Sequence, residues 1–223
     1  MQLNRREVLH QLLLATGAVL LEPPMLAEPL QAPAPANNDL LSKMSWMNEP
    51  ASSKMLGNRL IVRSLPKTDF WRKTFYGYVT DNGHFFHLPV TGDFTFQARV
   101  NGDYAALYDQ AGLMVRLNAE NWMKCGSEFV DSRRHASVVF THGFSDWSTM
   151  PDLSNTDAVW WRAKRSKDSI ETSCSLDGKN FTTVRQGYFV PEPNVQVGVM
   201  CAAPDGPGFD SSFSDLSLQI DKK

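Results

Sequence analysis

Apolar and polar residues alternate with a period of two along much of this chain, and that pattern restricts the fold more than any other feature. In Phe94-Thr95-Phe96-Gln97-Ala98-Arg99-Val100 the apolar side chains take the even positions, which gives a strand one buried and one wetted face. Ile170, Thr172, Cys174 and Leu176 oppose Glu171, Ser173 and Ser175 in the same way. Asp177-Gly178 then supplies residues that tolerate positive φ at a hairpin turn, and residues 181–185 return as the partner strand. Val195, Val197, Val199 and Cys201 form one further strand, and Leu216, Leu218 and Ile220 close the chain with another. From residue 37 onward no stretch carries a sustained helical period, and no strand-helix-strand unit appears, which excludes a Rossmann fold or a TIM barrel. Short strands punctuated by Gly, Asp and Pro over residues 37–223 predict one all-β domain built as a sandwich of two antiparallel sheets.

The first 36 residues read differently. Arg5-Arg6 precedes the apolar run 12–21 and a Pro/Ala-rich stretch ending at Ala36, the layout of an export signal. The arginine pair resembles bacterial twin-arginine signals, so the expectation is a cleaved signal over 1–36 and a periplasmic or secreted domain over 37–223. Ten residues are too few to span a bilayer, which takes about 20, and no stable membrane anchor is expected after cleavage. The net charge is -2, and a near-neutral domain has no electrostatic case for nucleic acid. Cys125, Cys174 and Cys201 lie far apart with no C-x-x-C pair, so buried free thiols are expected. His84 and His87, three apart on a strand, point to opposite faces; no metal site and no cofactor are expected.

The same alternation, applied to the central strands, collects a candidate site. One phase of the segment from Tyr108 carries Gln110 and Arg116, and one phase of the segment from Trp122 carries Trp122, Lys124 and Glu128. A third segment contributes Trp160 and Arg162, and residues 145–148 form an adjoining loop with Asp146 and Trp147. Indoles beside a guanidinium, an ammonium, a carboxylate and an amide suit a ligand that has apolar ring faces and many hydroxyls. Asp109 falls on the inward phase, where it is expected to brace the loop at 145–148 rather than meet a ligand.

Eight motifs in order, Asp69-Phe70-Trp71-Arg72, Asp81-Asn82-Gly83-His84, Tyr108-Asp109-Gln110-Ala111-Gly112-Leu113-Met114, Trp122-Met123-Lys124 with Glu128, Ser145-Asp146-Trp147-Ser148, Arg162 with Arg165, Ser175-Leu176-Asp177-Gly178 and Ala202-Ala203-Pro204, resemble the bacterial and fungal domain named for regulation of enolase, within the concanavalin A-like lectin/glucanase superfamily. The resemblance implies a jelly-roll sandwich with a concave sheet, and it adds Arg165 to the candidate site. Its superfamily includes both binding modules and glycan-cleaving enzymes, so three readings stand at this point. The first is binding of a carbohydrate or similar small polar ligand on the concave sheet. The second is glycoside hydrolysis or polysaccharide cleavage by Glu128 and Asp146, which requires the two carboxylates about 5–10 Å apart across a cleft. The third is a protein-interaction or regulatory module.

Overall fold

The computed structural model describes residues 38–150, 153 and 156–221, so the signal expected over residues 1–36 lies outside the described residues. A short helix, α1 (Asn38–Leu41), leads into β1 (Ser45–Met47), β2 (Ser52–Leu56), β3 (Arg59–Arg63), β4 (Phe70–Arg72), β5 (Val79–Asp81), β6 (His84–Thr91), β7 (Phe94–Gly102) and β8 (Gln110–Asn118). The chain continues through β9 (Asn121–Val130), β10 (Arg133–His142), β11 (Phe144–Met150), β12 (Val159–Ser166), β13 (Ser169–Ser175), β14 (Thr182–Tyr188), β15 (Asn194–Ala202) and β16 (Asp210–Ile220). Fourteen of these strands form two seven-stranded antiparallel sheets, ordered β1-β6-β15-β8-β9-β10-β11 and β14-β13-β12-β7-β16-β3-β2. The two-sheet sandwich read from the alternation is the fold that forms.

The first sheet and the second share one apolar core. Phe94, Phe96, Ala98 and Val100 of β7 and Val159, Trp161 and Ala163 of β12 meet Leu113 and Val115 of β8 and Val195, Val197 and Val199 of β15. All of these side chains are removed from water, and each large one contributes about 1.5–3 kcal/mol by its burial. Asp177 sits in the β13–β14 turn as anticipated: its carboxylate accepts the Lys179 and Asn180 amides at 2.8 Å, and Gly178 takes φ 74°. The three cysteines are free thiols.

The other face of the first sheet is the one that matters for function. Along β8 and β9, Gln110 stands opposite Glu128, Gly112 opposite Gly126, Met114 opposite Lys124 and Arg116 opposite Trp122. The Gly112–Gly126 step is as close as backbones come. A Cβ on Gly112 would lie 1.9 Å from the Cys125 carbonyl oxygen, and one on Gly126 would lie 2.3 Å from that of Ala111. Only glycine fits either position. Beside Gly126 lies a recess lined by Lys124, Glu128, Ser137 and Met200.

A segment from residue 65 to 83, containing the β4–β5 hairpin, folds across this face and gives it a second core. Phe70 and Trp71 bury themselves against Met114, Trp122, Val139 and Met200. Polar anchors then fix the segment. Arg116 grips Asp81 through two bonds of 2.8 and 2.7 Å, Lys124 donates to the Phe70 carbonyl at 2.7 Å, and the Arg72 amide donates to Ser145 Oγ at 2.9 Å. At the segment's start the Leu65 amide donates to His84 Nε2 at 2.9 Å.

The Arg116 guanidinium is almost fully buried, whereas the Asp81 carboxylate retains 30% exposure. Removing the carboxylate strands a buried cation, which costs more than the pair itself is worth. Asp81→Ala is therefore expected to destabilise the protein by about 2–4 kcal/mol, and Arg116→Met combined with Asp81→Ala to cost less than Asp81→Ala alone. Urea unfolding of the three proteins checks both statements.

Candidate functional site

Where the 65–83 segment stops covering the first sheet, a pocket remains. Its floor is Gln110, Lys124 and Glu128 from β8 and β9, its walls are Asp69, Trp71, Tyr76, Tyr78, Tyr108 and Trp147, and its empty volume, counted to the open mouth, is about 350 Å³. The floor groups are already organised among themselves. Asp69 Oδ1 accepts from the Phe70 amide at 2.7 Å, from Gln110 Nε2 at 3.2 Å and from Lys124 Nζ at 3.3 Å. Glu128 Oε2 accepts the indole N–H of Trp147 at 2.9 Å. Tyr108 and Tyr76 share a hydroxyl-to-hydroxyl bond of 3.1 Å, and the Tyr108 ring stands edge-on to Trp147 at 6.3 Å.

Tyr108 reaches this position through an unusual backbone. It holds φ 64°, in the left-handed region that bulky residues avoid. The neighbouring Asp109 makes that conformation affordable: its Oδ2 accepts the Ala105 and Ala106 amides at 3.0 and 2.9 Å, while backbone bonds tie Tyr108 and Asp109 to Phe129. Asp109 is thus a buried brace, as its phase implies, but it braces the turn before β8 rather than residues 145–148. Those residues form no loop; they lie inside edge strand β11.

Burial raises the Glu128 carboxyl above its ordinary range, and nearby Asp69 adds to the rise; Lys124 and hydrogen bonds from Ser137 and Trp147 pull against it. The Tyr108 hydroxyl is pushed up first by its bond with Tyr76 and then by burial, and that of Tyr78 by burial followed by Asp69. Burial and neighbouring acids thus disfavour the charged forms of Glu128, Tyr108 and Tyr78.

Of the candidates collected from the sequence, Gln110, Lys124, Glu128 and Trp147 meet in this pocket. The others are placed elsewhere. Trp122 is only 1% exposed, packed under Phe70, with its indole N–H donated to the Ala119 carbonyl at 3.3 Å. It offers no stacking surface. Arg116 is consumed by Asp81. Trp160 and Arg162 belong to β12 in the second sheet and face outward there: the Arg99 guanidinium covers Trp160, and Arg162 donates to Gln97 Oε1 and stacks on Phe181. Arg165 takes the inward phase of β12 and is buried, donating to the carbonyls of Val190, Glu192 and Pro193.

Asp146 is also misplaced for the acid–base pairing with Glu128. On β10, Glu128 stands opposite His135 and Asp146 opposite Phe140. Five residues of strand separate those positions, about 17 Å, and the odd offset puts Asp146 on the core-side phase. There it bonds Arg185 of β14 at 2.8 Å, joining the edges of the two sheets.

Sequence reasoning missed Asp69, Trp71, Tyr76, Tyr78 and Tyr108 as pocket residues. The signal available was density: Trp71, Phe75, Tyr76 and Tyr78 crowd four aromatic rings into eight residues with no strand alternation. Among the described residues no cluster of His, Cys, Asp and Glu is arranged to hold a metal ion.

Comparison with known proteins bears on both fold and location. The chain is 38% identical over 183 residues to Regulation of enolase protein 1 of Saccharomyces cerevisiae, covering 82% of this chain and 92% of the relative. A crystal structure of a functionally unknown protein from Saccharomyces cerevisiae superposes with a TM-score of 0.78 at 38% identity, over 82% of this chain and 99% of that one. The carbohydrate binding module CBM66 from Bacillus subtilis shares the sandwich alone, with a TM-score of 0.54 at 11% identity over 80% of this chain and 96% of the module. The yeast relative corrects the expectation of bacterial twin-arginine export to a periplasmic or secreted location: similarity of that extent to a eukaryotic protein overturns it. The chain belongs to the family described as proteins of unknown function DUF1349, whose profile matches residues 46–220.

Proposed function

We propose that the protein binds a small polyhydroxylated ligand, a saccharide unit above all, in the pocket between the first sheet and the 65–83 segment. The observation that carries this reading is the combination of a buried, pre-bonded polar floor with five aromatic side chains around the mouth. Hydroxyl-rich rings need both: donors and acceptors fixed in advance for the hydroxyls, and flat apolar surface for the C–H faces. Lys124 and Gln110 supply donors, Asp69 and Glu128 acceptors, and Trp147, 38% exposed at the rim, supplies a ring.

Binding is favoured over hydrolysis by the carboxylate placement. Glycosidase chemistry needs two carboxyl groups across a cleft. Asp146 lies on the wrong phase of its strand, and Asp69 Oδ1 is engaged by the Phe70 amide, Gln110 and Lys124. Glu128, whose charged form is disfavoured by burial, serves as a hydrogen-bonding group.

Titration calorimetry with a panel of mono- and disaccharides tests the reading. Trp147→Ala and Glu128→Ala are each expected to weaken binding by about tenfold or more, the loss of roughly one good contact, while Trp160→Ala and Arg162→Ala leave it unchanged. No response to any sugar, or a loss confined to the β12 variants, contradicts it.

The raised Glu128 carboxyl also has a consequence for stability. The folded state holds this proton more tightly than the unfolded chain does, so stability falls as pH climbs through and above the ordinary carboxylate range, about 4.3. Glu128→Gln keeps the shape and an acceptor for Trp147 without the charge. Its melting temperature is expected to gain on that of the unaltered protein between pH 4 and pH 7, and a constant difference across that interval contradicts the assignment.

A further inference from the structure

Beside the pocket, and sharing Trp71, Tyr76 and Trp147 with it, lies a broader open groove edged by Thr74, Phe75 and Asp146, with about 800 Å³ of empty space up to bulk solvent. Phe75 is the feature of this groove that folding does not explain. Its ring is 93% exposed, and its backbone holds φ 61° between Lys73 at 62° and Gly77 at 76°. A left-handed Lys and a left-handed Phe cost about 1–2 kcal/mol each, yet the Phe75 ring covers no core. What holds the turn is local: the Gly77 amide bonds the Lys73 carbonyl at 2.7 Å, and the Phe75 ring meets Tyr76 edge-on at 5.0 Å. An ordered turn that presents an apolar ring to water beside a polar pocket is spent on something outside the chain.

Along the sheet toward Trp122 the pocket is closed. Phe70 and Trp71, packed on Trp122 and Met114, fill the sheet beyond Lys124, and the Arg116–Asp81 pair clamps the segment further along. A chain therefore cannot continue along the sheet past Lys124, and a unit seated in the pocket has its neighbour leaving over Trp147 toward Phe75.

Resting on the saccharide reading above, we infer that the protein recognises the end of an oligosaccharide: the terminal unit occupies the Glu128–Lys124 pocket and the penultimate unit lies in the groove, stacked between Trp147 and Phe75. Thr74 stands at the edge of that groove, where a hydroxyl of the second unit comes within its reach, while the Asp146 carboxylate stays turned to Arg185.

The experiment is a calorimetric titration with glucose, xylose and N-acetylglucosamine, their β-1,4-linked di- and trisaccharides, and the linear and cyclic forms of an α-1,4-glucan. Within the responding series the disaccharide is expected to bind about tenfold more tightly than its monosaccharide, the worth of one added stacking contact. The trisaccharide adds little, and a cyclic glucan, having no end, does not bind. Phe75→Ala returns the disaccharide to the affinity of the monosaccharide and leaves the monosaccharide unchanged; because Phe75 is exposed, the variant folds normally. Equal affinities for one and two units, an unaffected disaccharide in Phe75→Ala, or binding of the cyclic glucan overturns the two-unit site while the pocket reading stands. Absence of binding by every sugar overturns both.

Discussion

The 65–83 segment pressed onto the first sheet is the contact on which the rest of the molecule's chemistry depends. Without it, β8 and β9 would present Met114, Trp122, Arg116, Lys124 and Glu128 to water across an open surface. With it, Phe70 and Trp71 dry out the far part of that surface, and the Arg116–Asp81 and Lys124–Phe70 bonds satisfy the charges that the drying would otherwise strand. What stays open is a pocket with a defined floor. Its polar groups gain strength from the lowered local dielectric.

That arrangement assigns unequal roles to residues of similar chemistry. Of the tryptophans, Trp122 is core, Trp147 is rim and Trp160 is outer surface on the opposite sheet. Of the carboxylates, Asp81 clamps, Asp109 braces, Asp146 ties two sheet edges together, and Asp69 with Glu128 shapes the pocket. The division follows from which face of which strand each occupies and what packs over that face. Residue type alone predicts none of it.

Much of the sandwich was legible in the sequence because a period of two is a direct imprint of one buried face, and β7, β13, β15 and β16 fall where the alternation places them. Gln110, Lys124 and Glu128 were legible for the same reason, since phase within β8 and β9 is fixed locally. Phase does not say which sheet a strand joins, so Trp160 and Arg162, correctly read as outward on β12, were joined to the wrong face. Nor does it say what covers a face. Trp122 and Arg116 look exposed until a segment some 40 residues upstream lies on them. The pocket's aromatic walls were illegible because they come from that segment, whose short β4–β5 hairpin and irregular turns carry no period at all.

The account stands or falls on where a ligand touches the protein. Two-dimensional amide NMR of the isotope-labelled protein during titration with saccharides measures this directly. The predicted outcome is shifts concentrated at Asp69, Tyr76, Tyr78, Tyr108, Gln110, Lys124, Glu128 and Trp147, with Arg99, Trp160 and Arg162 unmoved. Shifts centred on the outer face of the second sheet, or none anywhere, would contradict it.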